Sequence, residues 1–147
     1  MCIRVLKVFV FLFCYTFPMK YIVTRSFDLP FQDVVEKTLS SLQKEWFGVL
    51  QQTNLSEKIQ NTLGKAMKKY ELLMVCHPGF AYDIIHDDLD LGVFLPCTVI
   101  VYERDNDVVV SALQAKVLAE KMIENHKKDE IMEYIWNVIE RAILTIA

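Results

Sequence analysis

Two β-rich runs, Pro96-Cys97-Thr98-Val99-Ile100-Val101-Tyr102 and Val108-Val109-Val110-Ser111-Ala112, flank the polar turn Asp105-Asn106-Asp107. Two such runs joined by a tight turn close as a β-hairpin. A hairpin commits the chain to antiparallel neighbours. A sheet built this way needs an apolar partner layer on at least one face.

The rest of the chain supplies that layer. Tyr21 to Arg25 is rich in β-branched residues and reads as a strand. Asp28-Leu29-Pro30 then opens a helix, with proline near its first position. Phe31, Val34, Val35, Thr38, Leu39 and Leu42 recur at helical spacing and form one stripe, while Asp33, Glu36, Lys37 and Lys44 lie opposite. Phe47 to Leu50 reads as a second strand. Asn54 with Glu57 three residues on resembles a capping arrangement, and Gly64 is a natural stop for the short helix between them. Tyr70 to Val75 is a third strand. Pro78 opens another short helix, which ends before the acidic loop His86-Asp87-Asp88-Leu89-Asp90. After the hairpin come a helix over Lys116 to Asn125 and a longer one over Asp129 to Ile146. The latter shows Ile131, Met132, Ile135, Trp136, Ile139 and Ile143 on one face.

The pattern is strand, helix, four strands and helix, with two short inserted helices. It predicts an α+β fold: an antiparallel-rich sheet with helices on one face. The chain has 147 residues, the size of a single domain that folds without a staple. No repeat or long linker divides it. The face of the last helix is most simply core. Its width also suits a homodimer interface.

The hydrophobic fraction is 53%, and much of the excess lies between Ile3 and Phe17. Residues 1–18 form an apolar leader and 19–147 the domain. Arg4 and Lys7 precede an apolar run of about ten residues, the outline of a short signal. Phe17 and Pro18 stand where a small-residue cleavage site belongs, and the run is short of the roughly 20 apolar residues of a membrane span. Three readings compete: translation from Met19, a signal or membrane anchor, and a structured extension. The first places the protein in the cytoplasm; the second exports it or tethers it to a membrane.

Net charge is −3, and the lysine groups at Lys65, Lys68, Lys69 and at Lys127, Lys128 are interleaved with acids. This argues against nucleic acid as a partner. The four cysteines include no CxxC pair, which fits free thiols in a reducing compartment. With four glycines, no phosphate cradle, dinucleotide fingerprint or nucleophile elbow is present.

Cys76-His77-Pro78 is the local feature with most chemistry. A thiol at the entrance of a helix starting at Pro78 meets unpaired N–H groups and the positive dipole end, which favour the thiolate. The competing reading is an inert cysteine ending a core strand. Cys97, after Pro96, reads as a small core residue. A metal site from Cys76, His77, His86 and Cys97 matches no ligand spacing. Asp87, Asp88 and Asp90 lack the glycine and closing glutamate of a calcium loop. His126 reads as surface, and no cofactor is indicated.

Several fragments in order, Tyr21-Ile22-Val23, Phe47-Gly48-Val49-Leu50, Leu63-Gly64, Cys76-x-Pro78-x-x-Ala81, Leu91-Gly92-x-x-Leu95-Pro96-Cys97, Val101-Tyr102-Glu103 and Val108 to Ala112, together resemble the domain-of-unknown-function 302 family. The resemblance spans about Met19 to Ala147. It implies a TATA-binding-protein-like α+β fold and a homodimer, without implying DNA binding. The recurring positions that map here are Cys76, Pro78, Ala81, Pro96 and Cys97. His77 stands where asparagine is usual, and Gln114-Ala115 where Asp-Pro often follows the last strand.

The candidate ligand-binding residues are therefore Cys76, His77, Pro78, Pro96 and Cys97, with Cys76 the candidate catalytic residue. The leading expectation is a dimeric ligand-binding or redox-linked accessory module. The alternatives are a thiol-dependent enzyme or sulfur carrier using Cys76, and an interaction protein tethered to the membrane through residues 1–18.

Overall fold

The computed structural model describes residues 22–113 and 126–147, without the side chains of 87 and 126–129. The leader, the choice between Met1 and Met19, and the helix expected over Lys116 to Asn125 lie outside these residues. So does the pair Gln114-Ala115.

Five strands, β1 (Ile22–Phe27), β2 (Gly48–Asn54), β3 (Tyr70–Cys76), β4 (Cys97–Arg104) and β5 (Asp107–Leu113), form one sheet in the order β1-β5-β4-β3-β2. Every pairing is antiparallel. The helices are α1 (Phe31–Lys44), α2 (Leu55–Leu63), α3 (Pro78–Asp87) and α4 (His126–Leu144), with a 3-10 segment over Leu89–Phe94. This is the α+β architecture expected from the sequence, and the two short helices interrupt it at the expected places.

The core lies between one sheet face and the helices α1 and α4. Val34, Val35 and Leu42 of α1 meet Leu73, Val75, Val99, Val101 and Val110 of the sheet, all at 1% exposure or less. Alternation explains the choice: Leu73 and Val75 are two residues apart on β3, as are Val99 and Val101 on β4. Truncating such a residue, for example Leu73→Ala, costs about 2–5 kcal/mol. The two polar positions within the α1 contact are satisfied. The Thr38 hydroxyl donates to the Val34 carbonyl at 2.7 Å, and the Ser41 hydroxyl to the Ala142 carbonyl of α4 at 2.6 Å.

Helix α4 spends its apolar face inside the protomer. Met132, Ile135, Trp136, Val138, Ile139 and Ile143 are each 4% exposed or less. The wide stripe that suggested a dimer surface is thus accounted for by the core, because α4 packs against α1, α3, β1 and β5 at once. Arg25 of β1 donates to the Ile143 and Leu144 carbonyls, satisfying the C-terminal end of α4.

Three local signals read as expected. The Asn54 side chain accepts the Glu57 N–H at 3.0 Å, and Gly64 ends α2 at φ 67. The hairpin closes with Arg104 paired to Asp107, leaving Asp105 at φ 51, a conformation aspartate tolerates. Two boundaries differ. Strand β2 runs on from Leu50 to Asn54, through a bulge at Val49/Gln51. Its second half, Gln51 to Asn54, is polar and largely exposed, so it carries no alternation that a sequence pattern reveals. Helix α3, expected to end before His86, runs on to Asp87, and the rest of the acidic loop leads into the 3-10 segment, started by Asp88, whose side chain accepts the Asp90 N–H at 3.1 Å.

Candidate functional site

Antiparallel pairing of β3 and β4 sets Val75 opposite Cys97. The chain leaves β3 at Cys76, makes the α3 and 3-10 excursion, and re-enters the sheet at Cys97. Cys76-His77-Pro78 and Pro96-Cys97 are thereby brought to one end of the sheet, although about 20 residues separate them. The Leu95–Pro96 peptide there is cis.

The register also decides how the thiols face. Cys97 lies on the side of Val75 and packs against the core. Cys76 is the next residue along β3, so alternation turns it to the other face. The sulfurs therefore do not form a disulfide-ready pair, and both cysteines are free. Burial pushes the Cys76 thiol above its ordinary value. Burial, with the nearby Cys76 charge second, pushes Cys97 up to about 11.

The direction at Cys76 is opposite to what a helix entrance favours, because burial outweighs the helix end. His77 is the N-cap of α3, and its Nδ1 accepts the Phe80 N–H at 3.4 Å. Its carbonyl takes the Ala81 N–H at 3.0 Å. Pro78 has no N–H to offer. His77 thus engages the Phe80 and Ala81 donors, and desolvation decides the shift at Cys76. Gly79 makes room for this arrangement. A Cβ there would sit 3.3 Å from Cε1 of the His77 ring.

His77 also belongs to a chain of rings. It meets Phe47 edge-on at 5.7 Å between centroids and lies 4.1 Å from Phe80, which meets Tyr134 of α4 at 5.2 Å. Phe47 is buried, whereas Tyr134 is 57% exposed. The site therefore offers two protonated thiols, a capping imidazole and an aromatic wall that reaches solvent. Among the described residues, no three His, Cys, Asp or Glu side chains converge as metal ligands. His86 stands elsewhere, beside Tyr82 at 5.0 Å.

A concave feature elsewhere was not legible in the sequence. A cleft of about 390 Å³ lies between β2 and α2, lined by Gln52, Thr53 and Asn54 of the strand and by Glu57, Lys58, Asn61 and Thr62 of the helix. Its polar residues form no known motif. The only signal was the Asn54 cap, which fixes where the helix leaves the strand.

Fold and site together define a small α+β domain with one antiparallel sheet, a helical layer on one face, and a cysteine-containing strand end. The family model for the Domain of unknown function DUF302 matches residues 22–146, and the chain belongs to that family. The fold is similar to the crystal structure of an uncharacterized conserved DUF302 protein from Bacillus stearothermophilus. That match has a TM-score of 0.81 and 24% identity, and covers 87% of this chain and 99% of the other. No curated protein matches the sequence.

Proposed function

We propose that this domain is a non-catalytic, dimeric binding module that seats a small ligand with an apolar or aromatic body at the end of β3 and β4. The observation that carries this reading is the Val75–Cys97 register, which gathers Cys76, His77, Pro78, Pro96 and Cys97 beside the Phe80–Tyr134 ring pair. Two thiols held protonated by burial favour binding over catalysis, since the thiolate is the nucleophile. The thiol-enzyme alternative is supported only by the position of Cys76 at a helix entrance. The redox-linked variant is supported by two free thiols at neighbouring strand ends.

The dimer part of the proposal rests on the family resemblance, because the α4 stripe is buried within the protomer. No helix of the described residues is long and apolar enough to cross a membrane. We place the module in the cytoplasm on the free thiols of Cys76 and Cys97.

The test is a nuclear magnetic resonance screen with a library of aromatic fragments. Binding at the proposed seat shifts the amides of Cys76 to Phe80 and of Cys97. A screen with no saturable shift there removes the reading. Light scattering at tens of micromolar decides the dimer separately.

A further inference from the structure

The end of α1 holds a conformational outlier. The Phe47 N–H donates to the Leu42 carbonyl and the Trp46 N–H to the Gln43 carbonyl, both at 3.0 Å. These are the two bonds of a Schellman closure, which puts Trp46 at the left-handed position, φ 64. Glycine is the usual residue there, because an L side chain is strained. This tryptophan is moreover 79% exposed, so it contributes little to the core. Strain combined with exposure of the largest side chain points to a role outside the fold.

Trp46 leads directly into β2, the last strand of the sheet. Among the described residues nothing pairs with the outer edge of β2. Gly48–Asn54 contains no charge and no proline, two of the devices that protect an edge. Its protection is the bulge, and the bulge residue Leu50 is itself 65% exposed, with Val49 at 36%. Beyond the bulge the strand regains regular register, and α2 stands beside it across the polar cleft. A free strand edge with a helix as second wall is the geometry that takes an extended peptide as an added strand.

We propose that the groove between β2 and α2 binds an extended, uncharged peptide segment of a partner protein. The segment runs along β2 and seats one apolar residue against Trp46 and Leu50. Main-chain groups of β2 hold its backbone, and the amide of Asn61 and the hydroxyl of Thr62 serve it from the helix wall. The available area favours this occupant over a second copy. Even if Leu50 and Val49 are credited with the roughly 150 Å² of a small aromatic ring alongside Trp46, the three supply on the order of 400 Å², about half of the roughly 800 Å² per partner that a stable dimer buries. Gly48–Asn54 carries no charge, and on the helix wall Glu57 and Lys58 offset each other, so the groove selects a segment without net charge. The cleft end of this site, Gln52–Asn54 with α2, is the far end of β2 from Cys76, which pairs with Gly48.

The probe is a set of end-capped, fluorescein-labelled heptapeptides in which threonine alternates with valine or leucine, titrated with the full chain by fluorescence anisotropy. Saturable binding is expected, with amide shifts confined to residues 46–54 and 57–62. Trp46→Gly is the decisive variant. It relieves the left-handed strain, so the melting temperature rises, while peptide affinity falls roughly tenfold or more. Leu50→Lys weakens binding in the same way. No saturable binding, or unchanged affinity in Trp46→Gly, overturns the proposal. So does sedimentation showing a dimer that Trp46→Gly dissolves, because a second copy then occupies the edge.

Discussion

His77 Nδ1 accepts the Phe80 backbone N–H at 3.4 Å while the two rings pack 4.1 Å apart, so one side chain both starts α3 and joins its first turn to the aromatic chain. Asparagine, which the family resemblance leads one to expect at this position, is also a strong N-cap residue, so the two residues share a physical task.

His77→Asn therefore keeps the helix start and loses only ring packing. His77→Ala loses both, at a cost of about 1 kcal/mol for the cap alone. Urea unfolding of the two variants separates the contributions. Equal destabilisation by both would mean that the cap contributes nothing.

The thiols give an alkaline signature. The folded state raises the Cys97 value from 9.0 to about 11, so in that interval the folded chain holds a proton that the unfolded chain has released. The contribution to stability is complete below about pH 9 and is lost as pH rises towards 11. Thermal melts across this window should fall more steeply for the native chain than for Cys97→Ser. Iodoacetamide mass mapping should label Cys76, which is the less strongly shifted, before Cys97.

Acid stability has a different source. Arg141 of α4 makes a two-point contact with Glu45 at the end of α1, at 2.8 and 2.6 Å. The hydrogen bonds and, secondarily, the charge of Arg141 hold Glu45 below its ordinary 4.5. The sign is opposite to that of the thiols: this contribution is present above pH 4.5 and is lost as pH falls through the lower folded value. Glu45→Gln should flatten the acid limb of the stability curve and leave the alkaline limb unchanged. The effect should shrink in high salt because the pair is partly exposed.

Arg25 links the first strand to the last helix through the Ile143 and Leu144 carbonyls, and its guanidinium lies 4.8 Å from the Phe27 ring centroid. Arg25→Met keeps much of the aliphatic packing and removes the donors. The expected loss is about 1–2 kcal/mol, from the helix dipole and the two freed carbonyls. Faster hydrogen exchange confined to the last turn of α4 would locate it. Exchange that is unchanged there would refute the capping role.

Local periodicity and turn chemistry were enough to place most elements. The stripe from Phe31 to Leu42, the Asn54 and Gly64 ends of α2, the Pro78 start of α3 and the Asp105 turn each depend on contacts within a few residues, and these the sequence itself determines. Strand order, the length of β2 and the fate of the α4 face depend on long-range pairing. The polar run Gln51–Asn54 becomes a strand only because β3 lies beside it. Trp136 and Ile135 are core only because α4 crosses both α1 and the sheet. The candidate site divides along the same line. Its five residues were named from short motifs and the family resemblance, but their meeting required the Val75–Cys97 register. The state of Cys76 was a balance between helix-end donors and burial. That balance was decided in three dimensions by burial of the strand end, while the His77 side chain turned back onto its own helix to accept the Phe80 N–H.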